Sequence, residues 1–179
     1  MTEGAWHERA RRIRVILFDV DGVLTDGGVY MHADGSESKR FDIKDGAGIV
    51  LARRAGLTVG LISARQSAST GHRARQLGMD PVRQGVHDKA DALAELMRTH
   101  DWEPETIAYM GDDVVDLPIL RRVGLSACPA DASADVRSAV HLVSPCAGGH
   151  GAARALIEVI LRAQQRWDAL VGAPVPERP

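Results

Sequence analysis

The chain has only two cysteines, Cys128 and Cys146, and they are far apart with no histidine pair nearby. That excludes a disulfide scaffold and a thiolate metal site, and each is expected to be a buried free thiol. It also lacks an excess of positive charge: 22 Lys and Arg stand against 24 Asp and Glu, a formal net charge of -2 at pH 7. A general polyanion binder neutralises phosphates with surplus Lys and Arg, so no nucleic-acid partner is expected, although a local pocket for one phosphate remains open. No apolar run precedes Ile13, so no signal peptide is expected. No stretch approaches the roughly 20 apolar residues of a membrane helix, so no membrane partner is expected and the reducing cytoplasm is the default compartment. Repeats and low-complexity blocks are missing too. What is present is a globular balance, 45% hydrophobic and 26% charged, in 179 residues: one domain able to bury a core.

The apolar pattern orders that domain. Residues 1–12 are polar and Arg-rich and read as a frayed, flexible N-terminus, and 171–179 read as a disordered tail. A nearly continuous apolar run over 13–18 suits a strand buried on both faces. Residues 29–41 read as a β-hairpin turning at Ala33-Asp34-Gly35. Helix patterns over 47–55, 67–77, 88–100, 114–122 and 151–168 then alternate with strands over 57–62, near Val82, and over 107–110, 125–128 and 141–143. Such alternation implies βαβ units, a Rossmann-like doubly wound α/β fold with a mostly parallel sheet over 13–170. Ligands of such sheets sit at the carboxyl ends of the strands.

Polar residues gather where the strands end. The first apolar run stops at Asp19-Val20-Asp21-Gly22, two acids that are costly there unless a cation pairs with them. Ser63 follows the second strand and could bond a phosphate oxygen or cap a helix. Lys89 opens a helix, where a lysine opposes the dipole unless it faces an anion. Gly111-Asp112-Asp113-Val114-Val115-Asp116 offers three carboxylates in five positions, a donor set suited to magnesium. Each signal alone has an ordinary explanation as a turn or cap. Together, on one sheet edge, they are the parts of an aspartyl-phosphate site.

These segments resemble the four motifs of the haloacid dehalogenase-like phosphatases, over most of the chain. Within that superfamily the resemblance is to the 3-deoxy-D-manno-octulosonate 8-phosphate phosphatases. It rests on Asp21-Gly22-Val23-Leu24-Thr25-Asp26-Gly27, Phe41-Asp42-Ile43-Lys44-Asp45-Gly46, Gln84-Gly85-Val86-His87-Asp88-Lys89 and Ala147-Gly148-Gly149-His150-Gly151-Ala152. The resemblance implies that Asp19 attacks phosphorus and binds magnesium, and that Asp21 binds the metal through its carbonyl while its side chain moves the proton. It implies that Ser63 and Lys89 hold the phosphoryl oxygens, that Asp112 is a metal ligand, and that Asp113 and Asp116 orient metal waters or Lys89. Lys44, Asp45, Gly46, Arg65 and Arg73 match positions that contact a phosphorylated sugar acid. The short gap between the first two motifs implies no cap domain, and the hairpin implies a homotetramer. The match departs at Val50, where these enzymes carry a basic residue, and at Ser63, where threonine is commoner. That leaves open a phosphatase for another small ester, such as a nonulosonate 9-phosphate; a phosphomutase or a silent assembly domain fits less well.

Overall fold

The computed structural model describes residues 3–172, with side chains from Trp6 onward. Six strands, β1 (Val15–Phe18), β4 (Thr58–Ile62), β5 (Val82–Arg83), β6 (Ile107–Met110), β7 (Leu125–Cys128) and β8 (Leu142–Val143), form one sheet in the order β5-β4-β1-β6-β7-β8. Every pairing in it is parallel. β1, β4, β6 and β7 are short and apolar because both faces are covered, and alternate residues divide between two cores. Ile16, Phe18, Val59, Leu61, Ala108 and Met110 pack on one side. There they meet α1 (Glu3–Arg12), α2 (Ile43–Arg54), α3 (Ala68–Leu77) and α7 (Ala152–Ala163). Val15, Leu17, Ile62, Ile107 and Tyr109 pack on the other, against α4 (Lys89–His100), α5 (Leu117–Leu120) and α6 (Ala134–Ala139). The expected doubly wound α/β sheet is therefore present, and among the described residues no cap domain is inserted.

Strand order reverses at β1. The chain runs outward through β4 and β5, then returns to β6 on the other side of β1. This switch point opens a crevice at the carboxyl ends of β1 and β6, where Asp19 and Gly111-Asp112 follow.

The hairpin forms as expected: β2 (Tyr30–Met31) pairs antiparallel with β3 (Glu37–Ser38). Gly35 takes φ 82° in its turn, and Asp34 Oδ1 accepts from Ser36 N at 2.9 Å. Four details differ from the sequence expectation. The polar N-terminus is helical from Glu3, because Ala10 can bury fully against α7, a small contact that composition hides. α2 starts at Ile43 rather than near 47, since the Asp42 carboxylate caps it by accepting from Lys44 N at 2.6 Å. α6 was not expected; it is six residues long and buries only Val136, too little to show a period. The long terminal helix is broken: Gln165 adopts φ 57°, α7 stops at Ala163, and α8 (Trp167–Val171) resumes with Trp167 in the same core. Apolar spacing survives that break, which is why it reads as one helix. Of the expected tail, Val171 ends α8, while 173–179 lie outside the described residues. Both cysteines are free, with Cys128 buried and Cys146 partly so. No described helix is long and apolar enough to cross a membrane.

Candidate active site

Asp19 extends the β1 ladder by one residue, its N–H donating to Met110 O at 2.9 Å. The chain then turns sharply, with the N–H groups of Val23, Leu24 and Thr25 all pointing at Val20 O. Buried Val20, Val23 and Leu24 hold this loop in the core. The turn needs Gly22, which sits at φ 86° and whose missing Cβ would collide with the Asp112 carboxylate. Gly111 is equally confined, against the Asp116 side chain.

Lys89, the first residue of α4, lies beneath the crevice. The Asp88 cap beside it accepts from Ala90 N at 2.8 Å and Asp91 N at 3.0 Å, which fixes the start of that helix. Lys89 Nζ reaches Asp19 Oδ2 at 3.0 Å and Asp116 Oδ1 at 2.6 Å. The Tyr109 hydroxyl donates to the same Asp116 oxygen at 2.7 Å. Asp116 Oδ2 accepts from Asp112 N at 3.1 Å and Asp113 N at 3.4 Å. Asp116 is thus fully buried with both oxygens occupied. It lies within 4.8 Å of the Asp19 and Asp112 oxygens. Both of its oxygens are nevertheless taken up by Lys89, Tyr109 and the backbone after β6. Asp113 caps the short turn over Val114–Asp116, accepting from Val114 N at 2.7 Å, and its side chain is exposed.

Three carboxylates around one ammonium leave the site short of positive charge. Burial, and then Asp19 and Asp116, push the Asp112 carboxyl from 3.8 up to about 7. Burial also lifts Asp19 from 3.8 to about 6, with the Lys89 charge pulling the other way. Burial alone would weaken the Lys89 ammonium, but Asp19 and Asp116 outweigh it and hold Lys89 above its usual range. Asp112 Oδ1 is buried without a hydrogen-bond partner. An orphaned oxygen on Asp112, in a carboxylate group within 4.8 Å of the buried Asp19 at the switch point, fits a hard dication with oxygen ligands. Asp19 and Asp112 would supply those side-chain ligands.

A stability measurement checks that fit. Asp19 and Asp112 titrate above their unfolded value, so the metal-free fold binds extra protons between about pH 4 and 7 and loses stability as pH rises through that window. Magnesium must displace those protons. At 100 times its Kd it should add about 2.7 kcal/mol, or about 5–10 °C in Tm, at pH 8. The gain should shrink toward zero by about pH 5. A magnesium shift equal at both pH values would exclude these two carboxylates as the ligands.

The other expected site residues fall into separate groups. Ser63 is buried at the end of β4, and its Oγ accepts from Arg65 N at 3.3 Å. Arg65 is exposed, 3.5 Å from Asp21 Oδ2 and 2.8 Å from Glu37 Oε2. Lys44 is exposed on α2. Asp45 is buried and caps α7, where it accepts from Gly151 N at 3.2 Å and Arg154 N at 2.8 Å. Gly46 makes room for the Arg73 guanidinium, which donates to Asp42 O at 3.2 Å and Gln76 Oε1 at 2.8 Å. Two residues escaped the sequence reading. Tyr109 hides inside an apolar strand, where only the need of a buried hydroxyl for a partner could have flagged it. Lys39, just beyond β3, places Nζ 2.6 Å from Asp21 Oδ1.

Known proteins resemble this chain in sequence and in fold. A sequence model of the haloacid dehalogenase-like hydrolases matches residues 81–156. The 3-deoxy-D-manno-octulosonate 8-phosphate phosphatase KdsC of Yersinia pestis is 38% identical over 94% of this chain and 90% of its own. A structure of the Moraxella catarrhalis 3-deoxy-D-manno-octulosonate 8-phosphate phosphatase, in complex with magnesium, phosphate and KDO, superposes with a TM-score of 0.93 at 32% identity, covering 96% of this chain and 98% of that one. A cobalt-bound form of the Haemophilus influenzae phosphatase gives 0.85 at 38% identity, covering 88% and 92%. This chain belongs to the haloacid dehalogenase-like phosphatases, in the family of the 3-deoxy-D-manno-octulosonate 8-phosphate phosphatases.

Proposed function

We propose that this phosphatase hydrolyses 3-deoxy-D-manno-octulosonate 8-phosphate with magnesium, through an aspartyl phosphate on Asp19. The observation that carries this reading is Lys89 clasped between Asp19 and Asp116 beside the orphaned oxygen of Asp112. Lys89 screens the approach of a phosphate dianion to the Asp19 carboxylate, and the Ser63 hydroxyl at the neighbouring strand end holds a second phosphoryl oxygen. Asp19 attacks phosphorus, the bond to the sugar oxygen breaks, and the Asp21 carboxyl protonates that oxygen. The Asp21 carboxylate then takes a proton from water, whose oxygen attacks the aspartyl phosphate and frees Asp19 and inorganic phosphate. Bound magnesium, held by Asp19, Asp112 and the Asp21 carbonyl, would neutralise charge between nucleophile and phosphate.

Relatives named for this substrate, and a neighbour holding KDO and phosphate, support the substrate. Val50, 40% exposed on α2, favours the second reading, another small phosphate ester. Comparing kcat/KM across phosphorylated sugar acids and simple sugar phosphates decides between them. The octulosonate ester is expected to lead by about tenfold or more. If it ranks with generic esters, the substrate is a different one and the phosphatase reading stands. Exposed Tyr30 and Met31 on β2 support a homotetramer, which a 19.3 kDa mass in light scattering would exclude. A cytoplasmic location completes the proposal.

A further inference from the structure

Lys39 has no part in the chemistry described so far, yet its side chain is wholly shielded from solvent. A buried ammonium has to be matched by carboxylates. Its main partner is Asp21, whose two oxygens lie 2.6 and 2.9 Å from Nζ, with Glu37 Oε1 farther off at 3.8 Å. Asp21 sits on the turn before Gly22, in neither helix nor strand, so no regular element fixes its side chain. Lys39 and Arg65 fix it from opposite elements, the hairpin and the loop after β4.

The hairpin can do this only if it is itself held, because a ribbon with two residues per strand is marginal alone. It is held. Glu37 Oε2 takes Arg65 at 2.8 Å, and Glu37 O accepts from Ser69 Oγ at 3.2 Å, near the start of α3. The contacts run without a gap from α3, through Glu37, to Lys39 and Asp21.

We infer that Lys39 is a positioning residue that holds the Asp21 carboxyl where it meets the leaving oxygen, so that the hairpin sets proton transfer. The inference rests on Asp21 as the proton donor. A misplaced donor harms departure of a poor leaving group and spares a good one. That separates positioning from simple anchoring of the hairpin, which would affect every ester alike.

The test is kcat/KM with magnesium for phenyl phosphate, whose phenol has a pKa of about 10, and for p-nitrophenyl phosphate, whose phenolate leaves without a proton. Lys39→Met should lower the phenyl phosphate value about 100-fold and the p-nitrophenyl phosphate value less than about threefold. Lys39→Arg should restore most of the difference. Lys39→Gln, which keeps a polar group in the buried space, should repeat the selective loss if Lys39→Met folds poorly. Equal losses on both esters, or no loss, would overturn the inference while Asp21→Asn still shows the selective loss. If Asp21→Asn spares phenyl phosphate, the proton-donor reading falls and takes the inference with it.

Discussion

Asp19→Asn is expected to lower magnesium-dependent turnover of p-nitrophenyl phosphate by about 10⁴-fold or more, without unfolding the protein. Asparagine matches the shape of aspartate but its amide is too poor a nucleophile to displace the leaving oxygen at phosphorus. Lys89 keeps its 2.6 Å contact with Asp116, so the ammonium stays paired. The sign of the stability change separates this loss from damage. Asp19 titrates at about 6 rather than 3.8, so its ionised form at pH 7.5 is a burden on the metal-free fold. Removing that charge also relieves the repulsion that lifts Asp112. The metal-free Tm of Asp19→Asn should therefore equal or exceed that of the parent at pH 7.5. Equal turnover by the two proteins would sink the nucleophile.

Lys89→Met has the opposite thermal signature. It removes the ammonium shared by Asp19 and Asp116 and leaves buried carboxylates facing one another. Breaking a buried pair in this way destabilises by about 3–5 kcal/mol, which for a chain of this size lowers Tm by about 6–20 °C. Without Lys89, Asp19 and Asp112 lose the positive charge that pulls them down and hold protons still more tightly, so stability is lost as pH rises through the window above about pH 4 and regained on acidification. The deficit should be largest at pH 8 and smaller at pH 5, with activity lost throughout. A Tm within about 2 °C of the parent at pH 8 would show that Lys89 is not the electrostatic keystone.

Legibility of this molecule followed the size of each apolar signal. β1 could be read because four consecutive buried residues end at an acid, and the gathering of Asp19, Lys89, Asp112 and Asp116 because each lies close after a strand or at a helix start. Long-range pairing could not be read that way. Nothing near Asp45 in sequence announces that it caps α7, whose N–H groups come from residues 151 and 154. Lys39 carried no signal of its own in the sequence, since its burial depends on how a short hairpin folds back over Asp21. Tyr109 read as core because it is core, apart from its hydroxyl. Asp113 was expected to orient metal waters or Lys89; its contact here is a cap on its own turn.

The loop over 147–151 has a further consequence. Gly149 N donates to Val23 O at 2.9 Å, and any side chain at Gly148 or Gly149 would strike the backbone of Gly22 or Thr25. The turn after Asp19 is thus completed by residues far later in the sequence. During synthesis Asp19 leaves the ribosome well before Gly149. A nascent chain that has already produced Asp19, Asp21, Lys89 and Asp112 holds every reactive group and still lacks the packing that gives their turn its shape. A growing chain is therefore expected to gain activity only once the 147–151 loop has emerged and packed on the turn after Asp19.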